Sequence, residues 1–147
     1  MADFVFNISK GKLAYYSGLP AAADALIVVP VESSGLETDA TLKDYDDLST
    51  LLAGTTNEQT TAGRKTISSV TVTVDDTNDR VDMDFADQVW TALTGNAIGA
   101  VLVCYDNDTG AGTDSNIVPM TKHDFAITPD GSDVTMVVNA AGFARAA

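Results

Sequence analysis

The chain has 147 residues, of which 45% are hydrophobic, enough for one globular domain with its own core. Its 21 acids outnumber 8 lysines and arginines, for a formal net charge of −13, and a chain so acidic is not expected to bind a phosphate backbone directly. No apolar run approaches the roughly 20 residues of a membrane-spanning helix, and the start, "MADFVFNISKGK", lacks the basic-then-apolar layout of a secretory signal.

In chain order, "FVFNI" is apolar and reads as a strand or an arm, so residues 1–20 form an N-terminal arm on this reading. "SKGKLAYYSGLP" follows, and Lys10, Lys12, Tyr15 and Tyr16 make it the most contact-ready loop near the N-terminus. "ALIVVPV" predicts a buried strand. Pro30 has no N–H for a ladder, so the strand is expected to be an edge, to end there, or to carry a bulge. Over 41–53, "TLKDYDDLSTLLA", the residues Leu42, Tyr45, Leu48, Leu51 and Leu52 recur at three- and four-residue steps, which predicts the one helix of the chain. Thr41 is its expected cap, with Asp44 three residues on, and Gly54 its expected end.

"SVTVTVDDTNDRVDMDF" reads as a hairpin. Val70, Val72 and Val74 face one way, "DDTND" makes the connection, and Val81, Met83 and Phe85 resume the alternation. "QVW" and "IGAVLVCY" are further apolar stretches, and Trp90 is expected as a core or interface anchor. "DFAITPDGSDVTMVVN" reads as a second hairpin turning at Pro129 and Gly131, with Phe125 and Ile127 facing Val134, Met136 and Val138. The tail 140–147 is rich in small residues, with Phe143 as its anchor. The pattern as a whole predicts a mainly β domain spanning 1–147: an antiparallel β-sandwich or partly open barrel carrying one short helix.

Three groups of residues are candidates for chemistry. Asp82 and Asp84 share one strand face, the face opposite Val81, Met83 and Phe85, and two acids on one strand do not surround a cation; they read as a solvated face. The loop "DNDTGAGTDSN" is the better calcium candidate, with Asp106, Asp108, Asp114 and Asn116 as oxygen donors, although it lacks the EF-hand pattern. His123 is the only histidine, and no "GxSxG" elbow, Walker sequence or "GxGxxG" accompanies it. Cys104, the only cysteine, lies in an apolar run and reads as a small buried hydrophobe. On these residues the chain is not an enzyme and needs no cofactor.

Several stretches together resemble a family of small virion proteins from tailed phages that infect actinobacteria. They are "MADFVFNISKG", "SGLETDATLKDYDDLSTLLAG", "AGRKTI", "VTVDDTNDRVDMDFADQVWT", "LVCYDNDTGAGTDSNIVPMT" and "DFAITPDGSDVTMVVNAAGFARA", and they cover nearly the full chain. The resemblance implies a virion structural protein: a capsid decoration, or minor capsid, protein that binds the major capsid protein and stabilises the shell. It would be made in the host cytoplasm and sit on the outer surface of the head. The family implies no catalytic residues, and none is carried over. Closed symmetric association is the usual rule for oligomers, so a trimer on a capsid three-fold axis is the favoured arrangement. The expected interface comprises Lys10, Lys12, Tyr15, Tyr16, Phe143 and Arg145, the bases and aromatics of an otherwise acidic chain. Alternatives are a tail or head–tail connector protein, a calcium-dependent surface-binding module and, last, a small hydrolase using His123.

Overall fold

The computed structural model describes residues 2–147. Its elements are β1 (Phe4–Val5), α1 (Leu13–Ser17), β2 (Ala25–Glu32), α2 (Asp39–Leu42), α3 (Leu48–Leu52), β3 (Lys65–Ile67), β4 (Thr71–Asp75), β5 (Arg80–Asp84), β6 (Gln88–Trp90), β7 (Ile98–Asp106), β8 (Ile117–Ile127), β9 (Val134–Met136) and β10 (Ala144–Ala146). Three antiparallel sheets result, ordered β1-β8-β7-β2-β3, β10-β5-β4 and β6-β9. The large sheet ends on β1 and β3 and stays open, so the architecture is sandwich-like rather than a closed barrel.

The near-continuous apolar runs of β2 and β7 have a direct cause: the large sheet is covered on both faces. One face carries Ile27, Val29, Val31, Ala100, Leu102 and Cys104, packed against Leu42, Leu48 and Leu51 of the short helices. The other carries Leu26, Val28, Val101, Val103 and Tyr105, packed against Met83, Trp90 and Met136 of the smaller sheets and against Phe85 just past β5. Pro30 sits inside β2, opposite Val101. Its carbonyl accepts from the Gln59 amide at 2.9 Å. A strand residue directs its N–H and C=O to the same edge, so the missing donor faces the Glu58–Gln59 segment and the ladder with β7 loses nothing. A register shift follows at once, between Val31 and Glu32.

The expected helix over 41–53 is instead two helices. Thr38, not Thr41, caps the first, accepting from the Thr41 amide, and Asp47 caps the second, accepting from the Thr50 amide at 2.8 Å. The apolar spacing located the buried residues, since Leu42, Leu48 and Leu51 are all fully buried. What breaks the helix is Asp47, whose carboxylate offers a backbone donor a better partner than continued helix does. A third helix, α1, lies in the stretch read as a loop.

The first hairpin forms as read, with Val72 opposite Met83 and Asp75 opposite Arg80 closing a four-residue loop, 76–79. Val74 departs from expectation: it is 65% exposed, because the hairpin tip extends past the core. The second hairpin does not form. β9 pairs with β6, not with β8, in the register Gln88–Met136 and Trp90–Val134. The Pro129–Gly131 turn carries the chain from the large sheet to the smaller layer, where the Gly131 amide donates to the Leu93 carbonyl at 2.8 Å and the Leu93 amide to the Ser132 carbonyl at 2.9 Å. Phe125 accordingly meets Trp90, ring centres 6.3 Å apart.

Neither end is a loose arm over the described residues; residue 1 of the expected 1–20 arm lies outside them. β1 pairs with β8, and Phe6 and Leu13 are buried. β10 completes the small sheet beside β5. Gly142 makes that approach feasible, with φ of 94° and a position at which a Cβ would lie 2.2 Å from the Met83 carbonyl oxygen.

Candidate functional site

Of the acids at 82, 84 and 87, Asp82 and Asp87 fasten chain segments together. Asp82 accepts from Arg145 on β10 at 2.6 Å and from Arg80 at 3.1 Å, and its side chain is only 18% exposed. Asp84 opposes Thr71 on the outer face. The Asp87 carboxylate accepts from the Val138 amide at 2.8 Å. The first two acids do share the face away from Met83, as the alternation predicts, yet Asp82 is an anchor for the last strand rather than a solvated carboxylate.

The 106–116 loop directs its oxygens apart. Asp106 accepts from the Asp108 amide at 3.1 Å, and Asp108 from the Gly110 amide at 3.0 Å, two turn-closing bonds within the chain. Asp114 faces the Arg64 guanidinium at 2.6 and 3.0 Å, which holds its carboxyl below the usual range. Arg64 also grips Glu58 at 2.7 and 2.9 Å, and these bonds raise its own pKa further. Asn116 is exposed, its backbone amide bonded to Thr113. Among the described residues no cluster of three or more His, Cys, Asp or Glu side chains is arranged to hold a metal ion. Cys104 is fully buried, and burial pushes its thiol up to about 12.

His123 lines a cleft of about 440 Å³. The cleft opens at the side of the sandwich, between the β1 edge of the large sheet and the β10 edge of the small one. Val101, Val103, Phe85 and Met136 form its floor, and Phe125, Val137 and Phe143 its walls. The strand register puts His123 beside Val101, and Thr121 beside Val103, on the cleft face of β8. His123 Nε2 is 2.9 Å from Thr121 Oγ1, and Nδ1 is 3.3 Å from Asp3 Oδ2. Asp3 also accepts from the Asp124 amide at 2.7 Å, so this chain of bonds fastens the N-terminus to β8. Beneath it, on the helix side, Lys122 is fully buried and bonded to Asp39 at 3.2 Å, to the Ala2 carbonyl at 3.2 Å and to Asp124. The burial of Lys122 is not legible in the sequence, because a lysine in an alternating strand reads as a solvent-facing residue.

The expected interface residues divide. Lys10, Lys12 and Tyr15 are exposed, Tyr15 by 63%. Tyr16 is buried and stacks on Tyr105, centroids 4.7 Å apart, so it is no surface anchor. Adjacent residues on a helix point about 100° apart, which sends Tyr15 out and Tyr16 in. Tyr105 donates to Asp24 at 2.8 Å, and burial with that bond raises its phenol pKa. Phe143 is half-buried against Phe85, 4.9 Å between centroids, and Arg145 is engaged by Asp82. These last two sit at the cleft, remote in sequence from the lysines.

Comparison with protein-family models, with curated proteins and with solved structures found no match to this chain.

Proposed function

We propose that the protein is a non-enzymatic structural component of a phage virion, a capsid decoration protein that binds the major capsid protein on the outer head surface and stabilises the shell. The observation that carries this reading is how the charged side chains are employed. Asp82, Asp114 and His123, the groups that chemistry would need, are each bonded to a partner that fastens one chain segment to another. Lys12 and Tyr15, by contrast, project from α1 and its approach with no side-chain hydrogen bond among the described residues, and Lys10 bonds only to neighbouring Asn7. Exposed bases beside an exposed tyrosine are what a protein interface favours. The resemblance of the quoted sequence stretches to small virion proteins supports the same reading, as does the negative charge, which disfavours a place beside packaged DNA. Association as a closed trimer would let modest contacts act multivalently on a shell.

The test is to mix purified protein with shells lacking it, sediment, and count bound copies. Saturable binding that raises the heat resistance of the shell supports decoration. Loss of binding by Tyr15→Ala with Lys12→Ala places the contact on the α1 face. Recovery of the protein only with isolated tails moves it to the tail, the second structural reading.

A further inference from the structure

We infer that the cleft between β1 and β10 is a docking slot for an extended apolar segment of a partner protein, one that carries lysine or arginine beside its apolar side chains. This goes beyond the decoration role and stands whether or not the partner is a shell. The slot has the size of a ligand cleft, roughly 300–1,000 Å³. Its lip is apolar where a folded monomer gains nothing from apolar exposure: Val137 is 73% exposed, and Phe125 and Phe143 are only partly covered. Two sheet edges border it, β1 on the large sheet and β10 on the small one, and each has a strand partner on one side only. An extended chain entering there meets unpaired backbone groups as well as apolar walls, the arrangement of strand addition.

Charge decides what kind of segment. Asp3 and Asp124 stand at the β1 lip, their side chains 62% and 41% exposed. Of the nearby cations, Arg145 is matched by Asp82, and Lys122 is shared by Asp39 and Asp124, so three carboxylates with Asp3 stand against one lysine. The lip is thus left negative, on a chain of formal charge −13. A second copy of this chain brings the same charge and is repelled, whereas a basic segment is steered in.

The probe is the synthetic peptide acetyl-Val-Lys-Val-Lys-Val-Lys-Val-amide, with the glutamate-for-lysine peptide as its control, titrated into the full chain by calorimetry and by backbone amide NMR. The lysine peptide should bind saturably and shift the signals of Val5, Phe125, Val137 and Phe143. Val137→Arg, at a position too exposed to disturb folding, should weaken it roughly tenfold or more, as should a large rise in salt. Shifts confined to other surfaces, or equal binding by the glutamate peptide, would overturn the inference. So would a concentration-dependent dimer that Val137→Arg abolishes, since the slot would then belong to a second copy. None of these outcomes depends on whether the protein adds to shells.

Discussion

Arg145 on β10 donates to Asp82 in the middle of β5 at 2.6 Å, and the two residues are direct neighbours across the β10–β5 ladder. An aspartate that reads as one of a pair of surface acids is therefore the anchor of the final strand. Arg145 is 40% exposed, so solvent screens the pair, and Arg145→Ala is expected to cost no more than about 1 kcal/mol. Gly142→Ala should cost more than that, because a side chain there requires an unfavourable positive φ and collides with the Met83 carbonyl. Urea midpoints of the two variants check the order. Asp84→Asn, with no ion pair to lose, should fall within about ±0.5 kcal/mol of the wild type.

Met83→Asp should destabilise far more than Asp84→Ala. Met83 is fully buried between the layers, and an unpaired carboxylate placed there costs several kcal/mol. Thermal melts of the two variants make the comparison, and similar midpoints would mean that the register of β5 is off by one.

How much of this was legible in the sequence depended on how local the cause was. The alternation in 70–85 located both strands and the buried face, because period two is a property of adjacent residues. The spacing over 42–52 locates the buried Leu42, Leu48 and Leu51, yet the break between α2 and α3 turns on one hydrogen bond that the Thr50 amide donates to Asp47. The partner of β9 was not legible. Pairing Val134 with Trp90 rather than with β8 joins segments more than forty residues apart, and no local pattern encodes that choice. The same holds for the cleft, whose walls come from β1, β8 and both ends of the 136–145 stretch. The buried Lys122 is illegible for a related reason: its counterions Asp39 and Asp124, and the Ala2 carbonyl, come mostly from distant parts of the chain.

Lys122→Met should destabilise by roughly 2 kcal/mol, since it leaves two carboxylates and a carbonyl without their shared donor. The loss stays below that of a fully buried broken pair because Asp39 and Asp124 retain some access to water. Lys12→Met, at an exposed position, should change the urea midpoint little.

Acid should unfold the protein partly through Asp39 and Asp114. The Ala2 amide together with Lys122 lowers the pKa of Asp39, and Arg64 lowers that of Asp114. A carboxylate with a depressed folded-state pKa stabilises the fold fully above its unfolded value, about pH 4, and loses that contribution as pH falls through the folded value. Stability measured by urea at a series of pH values should therefore drop below about pH 4, and Asp114→Asn should flatten the drop. An unchanged acid profile in that variant would remove Asp114 from the account.

The proposed place of the protein on the outer phage head is put to the test by locating its density in intact virions by electron cryomicroscopy. Repeated symmetric copies are expected on the outside of the shell, as trimers on three-fold axes, with α1 and the exposed Lys10, Lys12 and Tyr15 turned toward the capsid protein. Density for the protein only in the tail or connector, or no copies in the particle at all, would contradict it.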